Sequence, residues 1–481
     1  MFTAMAENLE RHDSGLVRRI GLFTAVMIVA GGVIGSGVFK KVVPMSVELG
    51  SGWLVLAAWF VAGAVTLAGA LINAEIGGII AEPGGQYKYF ERMYGRFFAY
   101  IYGWASFAVI QTATVSSIAY VFAQSINLIV PIPNPAAELA GYELWGVFQP
   151  FDNFGVKLLA IGLIVLLTVV NAKGLEYGSL IANVFSSAVI LCIVGLTVVG
   201  FGFGTGAGMA VSATAEAASG LAKHGFFSAF FTAMMAAFWA YEGWNSLGFM
   251  GGEIKDPTKT IPRALVLGVA IVMLVYIAVN AAFLWVLPVD SFMAMAQQEN
   301  SIAGAEVIKV LFGPVAMVVI LVLIIVATLN ATNSSLMTAS RIWFAMALDG
   351  LFLAAAGRTN KANVPGNALL MMGAWSALLV LSGSFDQLTD MLIFAAFLFY
   401  GAGAFGVFVL RRTMPNAVRL NKVPGYPIVP ALFVAFCAAL VVNSVIERPR
   451  EAGIGMALIL IGIPFYKRSK GKVAEATATL A

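Results

Sequence analysis

Long apolar runs recur along the chain, with short polar stretches between them. Each is near the ~20 residues that a helix needs to cross a bilayer. Twelve such segments are predicted, at roughly 20–43, 52–80, 95–130, 155–171, 178–203, 226–250, 263–288, 310–347, 366–383, 388–410, 427–446 and 452–466. The third and eighth exceed a simple crossing, which predicts tilt or extension beyond the membrane; the fourth is short. Residues 1–19 are charged and read as a retained tail, not a cleaved leader with a short apolar core. The stretch 131–154 carries Pro131, Pro133, Pro135 and Pro150 and reads as a structured loop. The chain is therefore divided into a tail at 1–19, one membrane domain at 20–466 and a second tail at 467–481.

Two spans carry residues that oppose a continuous membrane helix. Span 1 contains Gly31-Gly32-Val33-Ile34-Gly35-Ser36-Gly37, and each glycine costs roughly 0.5–1 kcal/mol against alanine inside a helix. Such a segment either unwinds where it lines a cavity or serves a close helix–helix contact. Span 6 reads Phe238-Trp239-Ala240-Tyr241-Glu242-Gly243-Trp244-Asn245-Ser246, an apolar helix interrupted by a carboxylate, a glycine and an amide. A mid-membrane carboxylate costs on the order of 3 kcal/mol by insertion scales and faces a pathway or a partner. Glu242 lies about three helical turns from Glu253 and Lys255, which argues against snorkelling to the water.

Interrupted helices five spans apart point to an inverted-repeat transporter. The inversion is arithmetic, since an odd number of spans per repeat turns the second one over. The expected fold is an all-α membrane protein with 12 transmembrane helices. Repeat 1 would span about 20–203, repeat 2 about 226–410, and two extra helices about 427–466. Span 8 adds Asn330, Asn333, Ser334, Ser335 and Ser340. Ser340 reads as interhelical glue. Asn333, Ser334 and Ser335 read either as glue or as oxygen ligands for a small cation or a substrate.

Composition narrows the classes further. The chain is 60% hydrophobic and 11% charged, with mean hydropathy +0.91, whereas a soluble protein carries roughly 25% charged residues. The net charge of +4 is spread along the chain and gives nucleic-acid binding no support. Of the 28 Lys and Arg, 21 fall on the side of the two termini and 7 on the other, which orients both termini to the cytosol. Cys192 and Cys437 sit in apolar runs, so neither a disulfide framework nor a metal site is expected. His12 and His224 lie outside the spans, and nothing resembles a catalytic constellation; no cofactor is expected. A channel would favour uninterrupted spans around a pore.

These residues also carry a family resemblance. Gly32 to Phe39, Glu82-Pro83-Gly84-Gly85-Gln86-Tyr87, Phe238 to Asn245 and Gly252-Glu253-Ile254-Lys255-Asp256-Pro257 stand in order with Ile261-Pro262-Arg263-Ala264, Phe399-Tyr400-Gly401 and Val423-Pro424-Gly425-Tyr426-Pro427. Together they resemble the amino acid–polyamine–organocation superfamily, and within it the bacterial L-type amino acid transporters. The resemblance implies the leucine-transporter-type fold, in an inner membrane, working by alternating access.

It further implies that Gly35, Ser36 and Gly37, beside Val33 and Ile34, offer N–H groups to a substrate carboxylate. Carbonyls around Trp239, Ala240 and Glu242, with Tyr241, Gly243 and Asn245 alongside, would receive the α-amino group. Trp239 stands where the family has an aromatic gate. A cation site would fall at Gly32, Asn333, Ser334 and Ser335. Two departures bear on coupling: Val189 replaces a lysine common in span 5, and Glu242 replaces a glycine or aspartate. The expected function is exchange or uniport of neutral L-amino acids. The alternatives are proton- or sodium-coupled symport, or carriage of cationic amino acids or polyamines through Glu242. Mammalian members pair with a single-span subunit through a disulfide; with neither cysteine in an outer loop, no such partner is expected.

Overall fold

A computed structural model describes residues 17–144, 148–206, 217, 219–297, 302–382 and 385–480. Most of the tail at 1–19 lies outside the described residues. The helices that build the centre are α1 (Leu22–Val33), α2 (Gly37–Lys40), α3 (Val42–Leu49), α4 (Gly52–Ile79), α5 (Gln86–Tyr94), α6 (Arg96–Ile129), α7 (Phe154–Ala172) and α8 (Leu175–Phe203). They continue as α9 (Phe226–Tyr241), α10 (Pro257–Val286), α11 (Pro314–Leu348), α12 (Gly366–Ser382), α13 (Phe385–Thr413), α14 (Ile428–Glu447) and α15 (Pro449–Leu480). Nine helices among the described residues are long and apolar enough to cross a membrane, and α9 and α12 are shorter apolar helices.

The differences from the sequence expectation have local causes. Span 6 ends as an α-helix at Tyr241 and continues as two short 3-10 turns, because Gly243 takes φ +96, a conformation closed to side-chain-bearing residues. Span 8 begins at Pro314, after Gly313 at φ +83 separates it from the helix Ala303–Phe312. α6 contains one π-helical turn, Ser106–Ile110. The expected tail from 467 onward continues the helix of α15 to Leu480. Two charges read as loop residues are inside: Arg341 is 1% and Lys157 2% exposed. Removing one from each side leaves the basic bias intact.

Helices that two five-span halves would make equivalent pack on each other: α4 with α10, α6 with α11, and α7 with α12. α1 sits against α8, α10 and α11, and α9 against α3, α4 and α14. α14 grips α9 through polar groups. Ser228 donates to Glu447, Asn443 Nδ2 lies 3.4 Å from Thr232 Oγ1, and Ser444 Oγ lies 3.4 Å from Met235 Sδ.

Candidate functional site

Both interrupted segments unwind, and they meet. α1 stops at Val33, and Ile34, Gly35 and Ser36 leave the helix before α2 starts at Gly37. α9 stops at Tyr241, where Glu242 is extended (ψ 149) and Gly243 has positive φ. The glycines of span 1 divide their labour. A Cβ at Gly31 would lie 2.0 Å from Ser186 Oγ and 2.5 Å from Asn330 Nδ2, so this glycine serves close packing on α8 and α11. A Cβ at Gly37 would lie 2.5 Å from Ala240 Cβ and 2.6 Å from its Cα, bringing α2 against the end of α9. A Cβ at Gly243 would stand 3.1 Å from Gly32 O. Both readings of the glycine cluster, unwinding and close contact, therefore apply at different positions.

One side chain ties the breaks together. Tyr276 of α10 is fully buried, its hydroxyl 2.8 Å from Val33 O and 3.0 Å from Ala240 O. Both carbonyls end helices and have lost the donor that another turn would supply. Tyr241 turns toward Trp59, and the rings of Trp59, Tyr241 and Tyr276 form an edge-packed cluster with centroids 5.1–5.9 Å apart. Near the breaks, Ser36 Oγ and Asn245 Oδ1 are buried without a hydrogen-bond partner, and buried polar atoms are normally paired.

Glu242 points away from the first break. Its Oε1 accepts a 2.8 Å hydrogen bond from Tyr400 OH of α13. The two line a tight pocket of about 10 Å³, room for about one water, walled by Phe238, Trp244, Phe397 and Phe433. No lysine or arginine lines it. Trp239 faces the other way, with Lys41 Nζ 4.9 Å over its ring. Trp239 lines a second cavity, about 180 Å³, together with residues of α3, α9, the start of α13 and Arg448.

On α11 the polar cluster divides. Ser334 Oγ is buried without a partner, and its Cβ would lie 3.7 Å from a Cβ at Gly32. Asn330 Nδ2 donates to Ser186 Oγ at 2.9 Å, joining α11 to α8. Asn333 Oδ1 accepts from Asn171 Nδ2 of α7 at 2.8 Å, and Ser335 is buried. Ser340, expected to bond between helices, instead bonds Met337 O in its own turn and accepts from Arg341. Val189 is buried, one turn from Ser186 on α8. No group of three or more His, Cys, Asp or Glu side chains gathers among the described residues.

The side of the breaks that holds residue 20 is sealed. Arg19 N and Ile20 N donate to Glu253 O at 2.9 and 3.0 Å, and Lys255 N returns a bond to Ile20 O. Gly84 N donates to Phe249 O at 3.0 Å. The Glu253 carboxylate forms a two-pronged pair with Arg341 at 2.9 and 2.7 Å, both side chains 1% exposed. Two features escaped sequence reading. Tyr276 looked like one more aromatic in an apolar run. Glu75 of α4, 2% exposed, pairs with Arg411 at 2.9 and 2.7 Å, so Glu242 is not the sole buried acid of the spans.

Residues 20–464 match the family model described as amino acid permease. The chain is 30% identical to the serine/threonine exchanger SteT of Bacillus subtilis, over 97% of this chain and 100% of that protein. It is 28% identical to the mouse b(0,+)-type amino acid transporter 1, over 95% of this chain and 89% of the relative. Against the human large neutral amino acids transporter small subunit 2 the identity is 28%, over 94% and 80%. Two broken apolar helices meeting in the core agree with that match across most of the length. The chain belongs to the amino acid permease family of the amino acid–polyamine–organocation superfamily, and is a membrane transporter of amino acids, not an enzyme.

Proposed function

We propose that the protein exchanges neutral L-amino acids across the cytoplasmic membrane by alternating access, with both termini cytosolic and the two five-span halves related by inversion. The observation that carries this reading is the meeting of two unwound segments beside the cavity that Trp239 lines, with the paired contacts of Ile20, Glu253 and Arg341 closing one side. The substrate carboxylate is read to the N–H groups of Gly35, Ser36 and Gly37, and its ammonium to the carbonyls near Trp239, Ala240 and Glu242. Val33, Ile34, Tyr241, Gly243 and Asn245 wall the site, and Trp239 closes over it. The relatives' names support amino acid exchange as the class: one is a serine/threonine exchanger and another a large neutral amino acids transporter subunit. Opening toward the cytosol requires parting Glu253 from Arg341, while the cavity beside Trp239 closes as that residue moves.

Glu242 favours a second reading. A buried carboxyl whose pocket no lysine or arginine lines invites a proton, or a substrate ammonium once the pocket widens, and one relative is of b(0,+) type. That reading gives carriage of cationic amino acids or polyamines, or proton-coupled symport. Sodium symport would use Gly32, Asn333, Ser334 and Ser335. Cys437 is buried, and Cys192, though exposed, lies within α8 and not in a loop, which supports a carrier without a disulfide-linked subunit.

Counterflow in proteoliposomes tests the reading. Vesicles loaded with one unlabelled amino acid take up a labelled panel, with sodium and pH gradients varied separately. Exchange is expected to need internal neutral amino acid and neither gradient. Gradient-driven uptake into empty vesicles would replace exchange with symport.

A further inference from the structure

Before the first break, α1 is fastened to α8 turn by turn. Asn183 Nδ2 donates to Thr24 Oγ1 at 3.2 Å, and one turn on Ser186 Oγ donates to Met27 O at 2.9 Å. Ser187 Oγ stands 3.5 Å from Met27 Sδ. Positions 183, 186 and 187 share one face of a helix, so they form a polar stripe on α8. Further along, the large buried side chains of α8 are apolar: Val189, Ile193 and Leu196. The stripe ends level with Gly31, whose added Cβ would lie 2.0 Å from Ser186 Oγ. There α11 meets it, with Asn330 Nδ2 2.9 Å from Ser186 Oγ and 3.5 Å from Gly31 O. Ser186 is therefore a fork between α1 and α11, and any tilt of α1 against α11 must open one of its two contacts. The surroundings decide which. α11 is buried at every residue from Asn330 to Met346, so it cannot shift without displacing neighbours on all sides. α8 is half bare, with Leu180, Val184, Leu191 and Val198 each 53–71% exposed, a face that lipid covers. Parting α1 from α8 would strand Asn183, Ser186 and Ser187 together. Parting α8 from α11 strands one amide, whose Oδ1 is already buried without a partner, and the smaller loss is the cheaper one.

We propose that α1 and α8 move as one arm during transport, sliding against a stationary α11 at the Ser186–Asn330 contact. The proposal rests on the alternating-access reading above, in which α1 tilts at its break. Asn183, Ser186 and Ser187 are then positioning residues: they carry α1 and do not touch what is transported.

Two cross-links one turn apart test this on the full chain in proteoliposomes, in the background Cys192→Ser/Cys437→Ser. Dibromobimane bridges a pair of introduced thiols and fluoresces once both have reacted. Thr24→Cys/Asn183→Cys ties α1 to α8, and Met27→Cys/Ser187→Cys repeats that tie one turn along. Ser186→Cys/Asn330→Cys ties α8 to α11. Counterflow of labelled L-serine, L-leucine and L-lysine is measured before and after bridging, so each variant is its own control for folding. Either α1–α8 bridge is expected to leave exchange within about twofold, whereas the α8–α11 bridge removes it. Loss of exchange on bridging α1 to α8 overturns the single arm, and so does full exchange with α8 bridged to α11. Failure of both α1–α8 pairs to bridge overturns the seam itself. Should Ser186→Cys/Asn330→Cys exchange nothing before bridging, the α1–α8 bridges decide alone. A wild type that exchanges none of the three probes overturns the transport reading and the arm with it.

Discussion

Replacing Gly37 with alanine probes the contact between the two broken helices at its narrowest point. The added Cβ would stand 2.5 Å from Ala240 Cβ, 2.6 Å from Ala240 Cα and 3.1 Å from a Trp239 ring carbon. Ordinary contact begins near 3.4 Å, so α2 and α9 must separate by about 1 Å. The obstacle is main chain, which cannot rotate out of the way as a side-chain tip does. Overpacking of this kind costs about 1–3 kcal/mol. At 1.4 kcal/mol per factor of ten, the conformation in which α2 and α9 touch is disfavoured roughly 5- to 150-fold. Counterflow should show a fall in exchange within that range, with KM rising, since the N–H groups read as carboxylate ligands move with α2. Gly195→Ala is the control: nothing lies within 4 Å of its added Cβ on α8, and alanine improves helix propensity there by up to about 1 kcal/mol. Wild-type exchange by Gly37→Ala would refute the inference that transport needs the close contact of α2 with α9. Equal loss in both variants would assign the effect to glycine replacement in general.

Three further outcomes are expected. Tyr276→Phe keeps the ring but removes the hydroxyl proton between Val33 O, which still accepts from Gly35 N, and Ala240 O, a loss of about 1–3 kcal/mol; the thermal unfolding midpoint of purified protein should fall, with a higher KM in counterflow. Glu253→Gln leaves Arg341 buried and uncompensated, at about 3–5 kcal/mol. A cysteine replacing the buried Ser335, on the same helix as Arg341, should then label faster than in the wild type, and unchanged labelling would remove the pair from the seal. Glu242→Gln still accepts from Tyr400, so neutral exchange should weaken about two- to fivefold, while any uptake of L-lysine should fall more than tenfold. Lysine uptake equal to wild type would take the carboxylate out of selectivity.

The membrane helices were legible because apolar length is a property of single segments, and α4, α6 and α7 end within a few residues of the expected limits. The breaks were legible for the same reason: Gly35 and Gly243 penalise a helix whatever packs against it. Partnerships across the bundle were not. Arg341 counted as a loop cation because its helical position looked terminal, and only the fold brings Glu253 to it from 88 residues away. Tyr276 and Glu75 carry no local anomaly, since a tyrosine or an acid near a helix end is ordinary until its partner is known. Asn333 was ambiguous because an amide serves a neighbouring helix or a ligand equally well, and its bond to Asn171 is a fact about α7.

The grip of α14 on α9 bears on the energetics of the cycle. An inverted repeat by itself makes the two open states near mirror images, so neither face has a reason to be preferred at rest. In the two-half reading proposed above, α1 is held by Ser186 and Asn330, one from each half, whereas α9, held by both halves as well, is tied in addition by Asn443, Ser444 and Glu447, which lie outside them. On that reading the added helices act as a bias spring on one arm of a balanced lever. An unloaded carrier should rest with one face preferentially open, and trimming those tethers should level the two states without altering what is carried.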